Sequence, residues 1–216
     1  MSKTHFLIIY SITILEFIGE KMKKTLFIVS HLGSDSNKFC ETLNQHPKID
    51  IKNFFLTYST PENLLDLHLQ KHKLDNTSAI YGDQIVFNKD FSSDSLYGLC
   101  KFIYFIREPF ASLSFLIKEA DYTELSAYRY YSYRLRRIYE MCKKTPEAVL
   151  ITWQNFKDKK GLNLVQEYLN LKEDIKYLNL DEYENILSPE TMKSSYDCYE
   201  KYLYSFKQIS NLKLIN

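Results

Sequence analysis

TLFIVSHLGSDSNKF, Thr25–Phe39, reads as a strand, a loop and the start of a helix, and the rest of the chain is organised around it. Its first six residues, Thr25–Ser30, are nearly all apolar or β-branched, closing on a serine with no polar alternation, the pattern of a short strand buried on both faces of a parallel sheet. A polar loop follows, and a helix begins near Ser36. A loop joining such a strand to a helix exposes free backbone N–H groups and the positive end of the helix dipole, and both favour an anion. Gly33 permits a tight turn or a close approach, Ser34, Ser36 and Asn37 add side-chain donors, and Lys38 adds a charge. The same residues also suit ordinary helix caps and turns, so ligand loop and plain connection both stand at this level. Gly33 and Lys38 imitate part of a nucleotide-binding P-loop. However, the second glycine is missing, and Phe39 stands where a Ser or Thr would hold magnesium.

Outward from this stretch, strand-like and helix-like runs alternate. Ile49–Leu56, Ser78–Tyr81, Phe102–Ile106 and Ala148–Trp153 read as further strands. Ser36–Gln45, Pro61–Lys71, Pro109–Glu119, Thr123–Lys144 and Gly161–Leu171 read as helices, and Ser188–Leu212 as a polar, tyrosine-rich one. The alternation predicts an α/β fold, a single domain with a central parallel sheet of four to five strands flanked by helices. That domain spans residues 22–216. Residues 1–21 carry the apolar run Phe6–Gly19, interrupted by Glu16 and shorter than the ~20 residues of a membrane span. It reads as an accessory element or as an extension upstream of a start at Met22, and not as a membrane anchor.

The charge is balanced, 28 Lys and Arg against 27 Asp and Glu, which lacks the basic excess of a dedicated nucleic-acid binder. The four cysteines, Cys40, Cys100, Cys142 and Cys198, form no paired spacing, so no metal site is expected. They read as small buried residues in a reducing, cytoplasmic setting. The 18 tyrosines read as a composition bias. The stretch Tyr128–Arg137 reads as a helix with a solvated arginine face and buried tyrosines.

Three segments together resemble the PAPS-dependent sulfotransferases. FIVSHLGSDSNKFCETLNQHP, Phe27–Pro47, fits without a gap the family's phosphosulfate-binding strand–loop–helix, down to Leu43, Asn44, His46 and Pro47. KFIYFIREPFASLSF, Lys101–Phe115, is similar to the strand and helix that bind the nucleotide's 3′-phosphate, and AVLITWQNFKDKKGLNLVQEYLNL, Ala148–Leu171, to a later strand, loop and helix. The resemblance implies a P-loop-like sulfotransferase architecture, PAPS as co-substrate, and cofactor contacts from Gly33, Ser34, Asp35, Ser36, Asn37, Lys38, Arg107 and Ser114. Arg107 also carries its own logic, because a guanidinium at the carboxyl end of a strand can grip a phosphate bidentately. An Arg107–Glu108 surface pair is the plainer alternative.

The resemblance further implies transfer of a sulfuryl group from PAPS, by in-line displacement, to a hydroxyl or amine of a small-molecule or sugar acceptor. Asp83 is the first candidate base, because the family often carries an aspartate just past this strand. His31 is the second, by its near-neutral pKa. Thr57–Asn76 and Ala120–Tyr133 are the expected acceptor walls. Two departures stand out. Gly33 replaces the family's basic residue, and Asp35 replaces its glycine. With Asn53 standing where the resemblance would put a base, they favour, as an alternative, a catalytically degenerate sulfotransferase-like binding module. A P-loop-type nucleotide-dependent kinase is a lesser alternative, which the missing second glycine and missing Ser or Thr disfavour.

Overall fold

The computed structural model describes residues 25–53, 58, 80–87, 91, 94–176 and 186–215. The apolar run Phe6–Gly19, the helix expected at Pro61–Lys71 and, apart from Tyr58, the wall expected from Thr57–Asn76 lie outside the described residues.

The strands are β1 (Thr25–Val29), β2 (Ile49–Lys52), β3 (Ile80–Ile85), β4 (Lys101–Ile106), β5 (Ala148–Thr152) and β6 (Leu212–Lys213). The helices are α1 (Ser36–Leu43), α2 (Pro109–Glu119), α3 (Glu124–Lys144), α4 (Trp153–Lys157), α5 (Lys160–Leu169) and α6 (Pro189–Lys207). They form one sheet in the order β2-β3-β1-β4-β5-β6, with every neighbouring pair parallel. Phe27 of β1 stands opposite Asp83 on one side and Phe102 on the other.

Alternation along the strands sorts side chains into two apolar layers. Phe27, Val29, Tyr81, Ile85, Phe102 and Tyr104 face a layer that includes residues of α2, α3 and α6. Leu26, Ile28, Ile103, Phe105, Val149 and Ile151 face the layer built with α1, α4 and α5. Both faces are covered, which is why β1 tolerates no polar alternation and is buried at all five positions. Phe39 keys α1 into its layer, stacking on Phe105 at 4.6 Å and meeting Phe156 edge-on at 5.2 Å. The side chain of Asn44 acts as a piece of strand. Its amide donates to Ile51 O at 2.8 Å and accepts from Ile51 N at 2.7 Å, closing the outer edge of β2.

Among the described residues the sheet has six strands, where four to five were expected. The extra strand, β6, falls at Leu212, which the sequence assigned to the end of the last helix. That helix stops at Lys207, and the chain turns so that Leu212 pairs with Ala148 on the open edge of β5. Burial of Leu212 and partners for the β5 edge together outweigh one more helical turn. β5 also ends earlier than expected, because the Thr152 hydroxyl accepts from Asn155 N at 3.2 Å and starts α4 at Trp153. Among the described residues, no helix is long and apolar enough to cross a membrane.

Phe39→Ala should lower unfolding free energy by ~3–5 kcal/mol in urea titration, the usual cost of emptying a stacked aromatic site. A loss under ~1 kcal/mol would mean that α1 is not keyed to the sheet in this way.

Candidate active site at the carboxyl edge

The strand order reverses at β1. The chain leaves β1 for β2 and β3 on one side, then crosses to β4 on the other. The carboxyl ends of β1 and β4 therefore frame the crevice where open α/β sheets bind ligands. The loop of residues 30–35 and the first turn of α1 follow β1 at this point, and Arg107 follows β4.

Two buried arginines organise this edge. Arg134 enters from α3 and is 1% exposed; its Nε donates to Ser30 O at 2.8 Å and its Nη2 to Ile85 O at 2.9 Å. It thereby ties the ends of β1 and β3 together. Arg107 is 2% exposed and lies over the Trp153 ring, with its guanidinium carbon 4.0 Å from the centroid. Its Nε donates to Glu108 Oε1 at 3.2 Å, and its Nη1 to Asp35 Oδ2. The Arg107–Glu108 pair that the sequence offered as the plainer alternative does form, but buried instead of at the surface, and Asp35 joins it.

His31 is fixed between the two strand ends. The backbone N–H of Arg107 donates to His31 Nε2 at 3.0 Å, so the ring proton sits on Nδ1 and is shared with Leu32 O at 3.0 Å. Burial first, then the nearby Arg134 and Arg107 charges, lowers its pKa from 6.5 to about 4. His31 is a neutral clamp with both ring nitrogens committed, which leaves neither lone pair nor site for a substrate proton.

The loop is internally braced. Ser34 Oγ donates to His31 O at 2.6 Å, and Ser30 Oγ donates to Ser36 Oγ at 2.7 Å. Gln84 Nε2 also donates to Ser36 Oγ, so the Ser36 hydrogen is left to donate elsewhere. Tyr130 OH accepts from Leu32 N at 3.0 Å, and Tyr131 OH donates to Arg107 O at 2.7 Å. Asp35 occupies the N-cap position of α1 with φ 57° but makes no capping bond, because its carboxylate turns to Arg107. Loop and helix enclose a cavity of about 330 Å³, walled by residues 31–38 together with Glu41, Gln84, Val86 and Phe115. Lys38 and Asn37 stand on its rim.

Gly33 has a positive φ of 72° and lies against α2; a Cβ there would stand 2.7 Å from Ser112 O and 3.1 Å from Phe115 Cβ. The missing basic residue is thus a packing matter. The loop is pressed onto α2 too closely for any side chain.

The remaining expectations separate. Ser114 is fully buried in α2, and its Oγ has no hydrogen-bond partner among the described residues, while Ser112 Oγ donates back to Glu108 O at 3.1 Å. Asp83 lies inside β3, not past a strand. It shares a face with Tyr81 and Ile85, opposite Gln84, and accepts from Tyr58 OH and Gln84 N, each at 2.8 Å. It is fully buried and absent from the cavity wall, so as a base it has no path to a substrate there. Burial, with Asp83 beside it, pushes the Tyr58 phenol far above its ordinary pKa.

Glu41, Gln84, Trp153 and Arg134 are the site residues that sequence reasoning missed. Glu41 was within reach, since it lies three and four residues after Lys38 and Asn37 on one helix face. Arg134 was not, because the expected solvated arginine face holds for exposed Arg136 but fails for Arg134. A larger groove of about 620 Å³, lined in part by Tyr128, Arg136, Lys201 and Tyr202, runs between α3 and α6 on the flank of α3 away from the loop.

No protein-family model and no curated protein matches the chain. Among solved structures, mouse sulfotransferase SULT7A1 complexed with PAP is similar over 84% of this chain and 68% of that one, at 12% identity and a TM-score of 0.46.

Gly33→Ala should destabilise the protein by ~1–3 kcal/mol in thermal or chemical unfolding, from the positive φ and the clash with α2. An unchanged midpoint would mean that loop and helix are not in contact. His31 makes a second prediction. Its folded pKa is depressed, so the unfolded chain binds its proton first as acid is added, and stability falls as pH drops from about 6.5 towards about 4. The loss attributable to this residue is up to about 3 kcal/mol. Unfolding titrations at pH 7 and 4.5 should show a smaller pH loss in His31→Asn than in the unaltered protein; equal losses would refute the buried neutral clamp.

Proposed function

We propose that the chain is a sulfotransferase that moves a sulfuryl group from PAPS to a hydroxyl or amine of a small-molecule or sugar acceptor. The observation that carries this reading is the juxtaposition, at the switch point of the sheet, of the braced loop and first α1 turn, residues 31–38, with Arg107. These are the two segments whose sequence resembles the PAPS-binding elements of sulfotransferases.

In this assignment the loop amides, the Ser36 hydroxyl and Lys38 hold the phosphosulfate end. Arg107 takes the second phosphate, whereas Ser114, fully buried and absent from the cavity wall like Asp83, stays inside α2. The acceptor oxygen or nitrogen attacks sulfur, the bond from sulfur to the bridging phosphate oxygen breaks, and adenosine 3′,5′-bisphosphate leaves. Positioning and neutralisation of spread negative charge do most of the work in such transfers. The acceptor proton goes to a carboxylate on the cavity wall, and Glu41 is so placed. His31 and Asp83 serve structure in this reading. The four free thiols support a reducing compartment such as the cytoplasm.

A second reading, a sulfotransferase-like binding module without catalysis, is favoured by two specific features. Arg107 already carries two carboxylates, and no basic side chain can replace Gly33.

Calorimetric titration with adenosine 3′,5′-bisphosphate should show saturable micromolar binding, weakened at least ~tenfold in Arg107→Ala, as expected for a lost charge-assisted contact. Transfer of labelled sulfate from PAPS to an acceptor panel then supports the enzyme, and binding without transfer supports the module. Absence of binding would sink both.

A further inference from the structure

The Arg107 guanidinium is closed on three sides. Trp153 lies across its face at 4.0 Å, Glu108 Oε1 is 3.2 Å from Nε, and the Asp35 carboxylate holds Nη1. Asp35 is the more exposed partner of that pair, at 12% against 2% for the arginine, and it belongs to the cavity wall. Its carboxylate therefore stands between the cavity and the guanidinium. A carboxylate on a guanidinium has the same hydrogen-bonding geometry as two oxygens of a phosphate. An aspartate at an N-cap would ordinarily serve the first-turn amides of its helix, yet this one makes no capping bond.

The geometry points to Asp35 as a displaceable internal anion, a residue that keeps the Arg107 seat closed to all but multiply charged phosphate ligands. This deepens the reading above and depends on it for the nucleotide, though not for the anion seat. A phosphate dianion offers more charge than one carboxylate and displaces it. A neutral nucleoside or a weak monoanion does not. Displacement leaves Arg107 paired with Glu108 and stacked on Trp153, so the buried cation is never stranded. The rest of the loop stays braced through Ser34 and Ser36, so release of Asp35 needs a side-chain movement and no refolding of the loop. A freed Asp35 can then turn to the α1 amides.

The test compares the unaltered protein with Asp35→Asn, titrated with adenosine 3′,5′-bisphosphate and, separately, with inorganic pyrophosphate, which asks only for an anion seat. Asp35→Asn should bind both at least ~tenfold more tightly while its ligand-free melting temperature falls, because the buried arginine has lost a partner. A merely structural ion pair would lose stability and binding together. Trp153 is the sole tryptophan, so its fluorescence reports the seat directly. Ligand added to the unaltered protein should shift emission towards that of ligand-free Asp35→Asn. Asp35→Gly, which φ 57° favours, serves if the asparagine variant does not fold.

Folded variants that bind both probes no more tightly than the unaltered protein overturn the proposal; if that protein binds the bisphosphate, the nucleotide reading survives. Tightened pyrophosphate binding with no bisphosphate binding in either protein upholds the internal anion and overturns the nucleotide reading. No binding of either probe to any of the proteins overturns both.

Discussion

Two guanidinium groups buried at the carboxyl edge of the sheet impose most of what is distinctive about this protein. A buried charge left without partners costs several kcal/mol, so each arginine dictates the position of everything around it. Arg134 holds the carbonyls that end β1 and β3, which fixes where the first loop departs. Arg107 draws Asp35 away from its helix, rests on Trp153 and, through its backbone N–H and C=O, engages His31 and Tyr131. The loop, α2 and α3 meet around these contacts.

The tyrosines belong to the same solution. Phenols supply apolar bulk and one polar tip, and here the tips finish backbone hydrogen bonding where strands end. Tyr130 accepts from Leu32 N, Tyr131 donates to Arg107 O, and Tyr168 accepts from Phe102 N. Tyr104 shares a hydrogen bond with Thr145. A high tyrosine count that reads as composition bias is, at these positions, a set of helix-to-sheet ties. Such ties cannot be foreseen, since each joins residues 41 to 98 positions apart, except that of Tyr131 to Arg107 at 24.

A braced loop has consequences for chemistry. The hydroxyls of Ser34 and Ser30 are spent inside the loop, Gly33 is pressed on α2, and the positive charge of Arg107 is balanced by carboxylates. The cavity is preorganised in shape but not in charge. An anion that engages Arg107 must change the partnership of that arginine.

The sequence specifies the layered α/β fold, the parallel sheet and the strand–loop–helix at residues 25–43 without reference to tertiary contacts. Those features follow from local periodicity and from β1 lacking any polar face. It also placed Arg107 at a strand end, because one apolar run and a following proline suffice for that. The partners of the candidate site residues, by contrast, come from packing between distant segments. Asp83 turned to the far layer because β3 runs on to Ile85, and alternation then fixes its face. His31 became a neutral clamp because burial and two backbone contacts spend its nitrogens. Asp35 met Arg107 across 72 residues of chain. Side-chain partnership between distant segments depends on how the layers pack, and no local pattern in the sequence records it.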